Sequence, residues 1–177
     1  MPHRESPSAP WQIEGLPANG PDPTLADKLS LFGQFVGDWD IVEWRNQQED
    51  GSWVTGRGTL HWRWILEGRA VQDVWATIDE KTGRSVPLGT TVRFYDSKID
   101  AWQSIWISPV NRVARVFQAR RVGDEIVLEA RSARGNVLHW IFSEITPDAF
   151  RWREEELRTP PDGWVMDEEM RIRRRMT

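Results

Sequence analysis

Residues 112–145 read RVARVFQARRVGDEIVLEARSARGNVLHWIFSEI. Apolar and polar side chains alternate at a period of two through residues 112–122, 125–132 and 136–145, the pattern of half-buried strands. The alternation is broken by Val122-Gly123-Asp124 and by Arg134-Gly135-Asn136, both of turn chemistry. Connections this short carry no crossover helix, so the three strands form an antiparallel meander.

The same grammar extends in both directions. Strands are predicted at residues 38–46, 53–66, 69–78, 89–96 and 100–108 before this stretch, and at 149–158 and 163–173 after it. The turns between them are Glu49-Asp50-Gly51-Ser52, Lys81-Thr82-Gly83, Tyr95-Asp96-Ser97-Lys98, Thr146-Pro147-Asp148 and Pro160-Pro161-Asp162-Gly163. About ten strands in up-and-down order leave two bare edges when flat, and closure removes both. The expected fold is therefore all-β, a closed antiparallel up-and-down barrel.

A short helix is predicted ahead of the first strand. Thr24 is its N-cap, with Asp27 in capping-box position. Leu25, Leu29, Phe32 and Val36 form one apolar stripe, and Gly37 ends it. Residues 1–23 hold six of the 11 prolines and read as a flexible arm, with Trp11 and Ile13 available for docking. Residues 24–177 then form a single barrel domain, an ordinary size for one core.

Composition narrows the function. The chain has 177 residues, no cysteine, 23 basic and 27 acidic residues, and a net charge of −4. No disulfide framework or thiolate nucleophile exists. The charge balance argues against nucleic acid, and the Arg171, Arg173, Arg174, Arg175 run reads as a solvated end. No stretch is long enough to span a membrane and none reads as a secretory signal, so a cytoplasmic setting is expected. Tryptophan is the outlier, with 12 against one tyrosine and six phenylalanines. So many bulky rings read either as a heavily aromatic core or as rings that wall a ligand cavity or fill a subunit interface. There is no phosphate loop, metal-ligand spacing or nucleophile elbow.

The helix ends in Gly37-Asp38-Trp39 at the head of the meander. This resembles the Gly-x-Trp signature that opens calycin barrels: lipocalins, nitrobindins and their relatives. Ile65-Leu66-Glu67-Gly68-Arg69-Ala70, Phe94-Tyr95-Asp96 and Ala101-Trp102-Gln103-Ser104-Ile105-Trp106 resemble an uncharacterised bacterial family of lipocalin-like domains. The likeness spans roughly residues 30 to 173. It implies a barrel that binds a small molecule, and it brings no established catalytic residue. Nitrobindin-like proteins hold haem through a histidine near the chain end. No histidine follows His139 here, so haem is disfavoured and no cofactor or metal is expected. Lipocalins stack a last-strand arginine on the signature indole. Arg171 or Arg173 is expected on Trp39, a structural role shared with Gly37.

Register decides which side chains line the barrel. With Trp39 inward, Ile41 and Glu43 follow on the same face, and Trp44 falls outside. A two-residue Asp50-Gly51 turn sets Trp39 opposite Trp62 and gives an interior of Leu60, Trp62 and Trp64. A three-residue loop sets Trp39 opposite His61, and the interior becomes Thr59, His61 and Arg63. Asp-Gly favours the first. An even-length turn at Arg134-Gly135-Asn136 puts His139 inside with Leu128. The candidate ligand-binding residues are Trp62, Trp64, Arg93, Tyr95, Trp102, Trp106, His139 and Trp152. The candidate acid–base residues are His139, His61, Glu43 and Glu154.

Three readings follow. The first is a barrel that binds an apolar or aromatic small molecule between indoles. The second is a cofactor-independent isomerase, cyclase or hydratase, with a histidine and a carboxylate converging in the same barrel. The third is a structural homodimerisation module with a filled interior. A homodimer is expected in the first reading too, with Trp44 and Trp11 outside.

Overall fold

The computed structural model describes residues 13–176. A 3-10 turn (Pro23–Leu25) leads into α1 (Ala26–Gly33). Ten strands follow: β1 (Gly37–Gln47), β2 (Trp53–Ile65), β3 (Ala70–Ile78), β4 (Ser85–Asp96), β5 (Ala101–Ser108), β6 (Val113–Val122), β7 (Glu125–Arg131), β8 (Val137–Ser143), β9 (Ala149–Leu157) and β10 (Trp164–Arg174). Every strand pairs antiparallel with its neighbour in sequence, and β1 pairs with β10, so the barrel is closed. β4 begins four residues earlier than the alternation suggests, at Ser85 instead of 89.

α1 plugs one end. Leu29, Phe32 and Phe35 are fully buried, against Trp39, Trp62, Trp102, Phe142 and Phe150. Phe32 meets Trp102 edge-on at 5.0 Å and Phe35 meets Phe150 at 4.7 Å, centroid to centroid. The cap is Asp22, not Thr24: its carboxylate accepts from the Thr24 backbone N–H at 2.8 Å, and the 3-10 turn continues into α1. The helix ends at Gly33, short of Gly37. The end of the 1–23 segment is tied down as well. Ala18 N–H donates to Trp64 O and Asp22 N–H to Gly68 O, both at 3.1 Å.

The helix–strand junction explains the Gly-x-Trp element. Trp39 Nε1 donates to the Phe35 carbonyl at 2.7 Å, fixing the indole under the helix end. The arginine on its face is Arg174, at 4.0 Å from the ring centroid, and not Arg171 or Arg173. Alternation decides this: Met170 and Ile172 are buried, so residue 174 shares their inward face while 171 and 173 are exposed. Arg174 also donates to the carbonyls of Gln34 and Val36, past the end of α1, and to that of Pro147, between β8 and β9. Gly37 sits at φ +136°, and a Cβ there would lie 2.7 Å from Arg174 Nη1. Its role is thus conformation and clearance together.

The first hairpin combines the two alternatives. Gln48 N–H donates to Ser52 O, so the connection is the three-residue Glu49-Asp50-Gly51, with Gly51 at φ +82°. Trp44 accordingly faces Gly56. A β-bulge between Ile41 and Trp44 then shifts the register by one, and Trp39 pairs with Leu60. The interior is therefore Leu60, Trp62 and Trp64, the set expected from the other turn. The bulge also reverses two orientations. Glu43 lies outside, 3.6 Å from Arg171, and Trp44 points in.

Candidate functional site

Above the plug the barrel opens into a cavity of about 630 Å³, a volume suited to a small organic ligand. Its mouth lies at the end away from α1, between residues such as Asn46, Thr55, Ile78, Leu88 and Asn111. Six indoles line it: Trp44, Trp62, Trp75, Trp106, Trp140 and Trp152. Neighbouring rings meet in sequence around the wall, with centroids 6.1 Å apart for Trp44–Trp75, 5.9 Å for Trp75–Trp106, 5.8 Å for Trp106–Trp140 and 5.3 Å for Trp140–Trp152. Such rings fit because small residues stand beside them. Gly89 on β4 faces Trp106, where a Cβ would lie 2.4 Å from the indole.

The floor carries a buried ion pair. Arg93 on β4 donates to Asp73 on β3, and each is 3 % exposed. The guanidinium also lies over Trp62 at 4.4 Å, with Phe32 at 5.2 Å and Phe142 at 5.8 Å. Burial pushes the Asp73 carboxyl up, and the facing guanidinium pulls it back. Arginine keeps its proton in proteins, so the carboxylate is what makes its burial tolerable.

The wall carries two inward carboxylates directly opposite each other, Glu154 on β9 and Glu168 on β10. Trp140 Nε1 donates to Glu154 at 2.6 Å and Trp44 Nε1 donates to Glu168 at 2.5 Å. Among the described residues, neither is in an ion pair. Burial raises the Glu154 carboxyl, opposed by the Trp140 bond and by the positive field of Arg115. Burial pushes Glu168 up to about 8, against the Trp44 bond, and the negative field of Glu154 adds to the rise.

A carboxyl raised in the fold binds a proton that the unfolded chain has released. Its contribution is complete below the ordinary value of 4.5 and is lost as pH rises through about 8. The full shift corresponds to at most ~5 kcal/mol. Solvent entering the cavity screens the carboxyl, so a loss of ~2–3 kcal/mol between about pH 5 and about pH 9 is expected. Glu168→Gln, which keeps the shape of the neutral acid, should flatten this slope in urea unfolding. Parallel pH curves for parent and variant would contradict the assignment.

The candidates from sequence divide three ways. Trp62, Arg93, Trp106, Trp152 and Glu154 share the cavity. Trp64 and Trp102 are interior but lie at the plugged end, Trp64 over Gly33 and Trp102 against Phe32. Tyr95 sits beside the plug, where its hydroxyl donates to Asp100 and Lys28 lies 5.2 Å from its ring. Glu43, His61 and His139 are on the outer wall. His61 Nδ1 is 2.8 Å from Asp38, whereas His139 is 3.1 Å from Glu129 and stacks on Trp164 at 4.4 Å. The inward reading of His139 is corrected by the turn. Ser132 N–H donates to Asn136 O, leaving a three-residue Ala133-Arg134-Gly135 connection. An odd count pairs His139 with Glu129 instead of with the face of Leu128. Trp44, Trp75, Trp140, Asp73, Arg115 and Glu168 were absent from the candidates. Alternation from a buried neighbour reaches several of them: Asp73 and Trp75 follow Val71, and Glu168 precedes Met170.

Closed order, helix plug and Gly-x-Trp junction define a lipocalin-like barrel of calycin type. Solved structures agree. The chain is similar to the S-type phycobiliprotein lyase CPES from Guillardia theta, with a TM-score of 0.54 and 11% identity over 84% of this chain and 92% of that one. It is also similar to Rv2717c from M. tuberculosis, with a TM-score of 0.58 and 11% identity over 88% and 99%. At such identities the likeness is one of fold. No family model matches the sequence, and no curated protein matches it. Among the described residues, no helix is long and apolar enough to cross a membrane.

Proposed function

We propose that this protein is a small-molecule-binding barrel that takes an apolar or aromatic ligand through the end opposite α1. The observation that carries the reading is the indole-walled cavity of about 630 Å³ above a plugged floor. Rigid rings offer stacking surface at little ordering cost. The acid–base reading required a histidine beside a carboxylate in the cavity, and His61 and His139 both lie outside it. The interaction-module reading required a filled interior. The binding reading needs no haem and no metal.

A panel of planar aromatic compounds is expected to quench tryptophan fluorescence saturably. Trp53 and Trp164 are partly exposed and also report on surface contact, so a second arm is needed. Val113 lines the cavity near its mouth, and Val113→Trp is expected to weaken binding at least ~10-fold while leaving the far-ultraviolet spectrum unchanged. No saturable quenching, or quenching indifferent to Val113→Trp, would defeat the proposal.

Homodimerisation also belongs to this proposal, on changed grounds. Trp44 is inside and Trp11 lies outside the described residues. The exposed apolar residues include an outer strip with Phe94, Ile107 and Val116 on neighbouring strands β4, β5 and β6. Sedimentation at micromolar concentration should give about twice 20.6 kDa, and a clean monomer would refute the dimer.

A further inference from the structure

We propose, building on the cavity reading above, that the ligand carries a positively charged nitrogen, a quaternary ammonium or protonated amine, seated between Glu154, Glu168 and the surrounding indoles. Like carboxylates directly across a strand pair repel, and the fold places these two inside, where repulsion is least screened. Indole N–H bonds hold one oxygen of each without neutralising either. A cation between them removes the repulsion. Trp44, Trp75, Trp140 and Trp152 line the same cavity, and indole rings attract a cation over their faces.

The other charges near the pair leave this role open. The Asp73–Arg93 pair on the floor is self-neutralised. Asp167, next to Glu168 on β10, adds negative field. Arg57 on β2, Glu80 after β3 and Arg115 on β6 line the same cavity, and Arg115 favours ionisation of Glu154. Glu154 therefore ionises first, and Glu168, raised to about 8, follows in alkaline solution or when a cation arrives.

A second observation points to an occupant. Trp62 Nε1, Trp75 Nε1 and Arg93 Nε, all on cavity-lining residues, have no acceptor among the described residues. Trp62 and Arg93 are 1 % and 3 % exposed, and buried donors seldom go unpaired. Each of these nitrogens is itself closed to solvent, so an oxygen acceptor beyond the ligand's cationic head meets them as the Trp62 or Trp75 ring turns toward the void.

The test compares 4-methoxyphenyltrimethylammonium with its neutral carbon isostere, 4-tert-butylanisole, by tryptophan fluorescence and calorimetry. Neither probe titrates, so any pH dependence belongs to the protein. The cation should bind at least ~10-fold more tightly at about pH 9, and its advantage should shrink toward about pH 6 as Glu168 regains its proton. Glu168→Gln should reduce that advantage and Glu154→Gln/Glu168→Gln should abolish it, with binding of the isostere retained. Equal binding of the two probes to the parent, or a preference that survives in the double variant, overturns the cationic ligand while the cavity reading stands. Absence of binding by both probes overturns the two together.

Discussion

Asp73→Ala is expected to lower the free energy of unfolding by ~3–5 kcal/mol, the range found when one partner of a buried ion pair is removed. The variant leaves the Arg93 guanidinium among Phe32, Trp62 and Phe142 without its counter-charge. Arginine cannot relieve this by releasing a proton. The reciprocal change is milder. Arg93→Met leaves a carboxyl that neutralises by protonation, since burial already raises Asp73 and the opposing guanidinium is gone. That variant should lose ~1–3 kcal/mol near neutrality. The sign is fixed by linkage: a raised carboxyl contributes most below the unfolded value of 3.8 and least above its folded value, so the deficit shrinks in acid. Replacing both, as Asp73→Leu/Arg93→Met, should come near the parent or exceed it. Urea unfolding of the three variants decides the matter. A loss under ~1 kcal/mol for Asp73→Ala would mean that water reaches the pair.

The asymmetry between fold and site in what the sequence disclosed comes from the period of a strand. Strand existence rests on alternation, which tolerates an error of a residue at either end. Turns rest on glycines that only left-handed backbone requires, and Gly51, Gly83, Gly123, Gly135 and Gly163 all sit at positive φ where turns were expected. Closure follows from strand number and short connections. Site residues depend instead on parity, and one residue reverses it. The Asn136 end of the β7–β8 connection and the bulge past Ile41 each carry one such residue. The first sent His139 outward, and the second sent Glu43 out and Trp44 in. Nothing in the local chemistry of Val42 announces a bulge. Arg174 was within reach, because Ile172 on the same face reads as core. The ion pair was not, since Asp73 and Arg93 lie on different strands, and alternation that turns each inward does not show that they meet.

Trp39→Ala is expected to cost ~3–5 kcal/mol in urea unfolding, the usual range for deletion of a buried tryptophan. The ring is 1 % exposed and meets Phe150 edge-on at 4.9 Å, so its loss opens a void that the plug must span. Part of the cost is not packing. The indole N–H is the partner of the Phe35 carbonyl, and the ring face is the seat of the Arg174 guanidinium. Trp39→Phe keeps an aromatic face but drops the N–H donor, and should recover about half of the loss. Arg174→Met separates the remaining contribution: it releases the carbonyls of Gln34, Val36 and Pro147 while leaving the indole in place. The double variant with Trp39→Ala should show coupling of ~0.5–2 kcal/mol, the cation–π range, because each partner holds the other in position. Additive losses would mean that Arg174 serves only its backbone carbonyl partners. A cost below ~0.5 kcal/mol for Trp39→Ala would mean that the plug does not rest on the ring, and the closed end of the barrel would need another keystone.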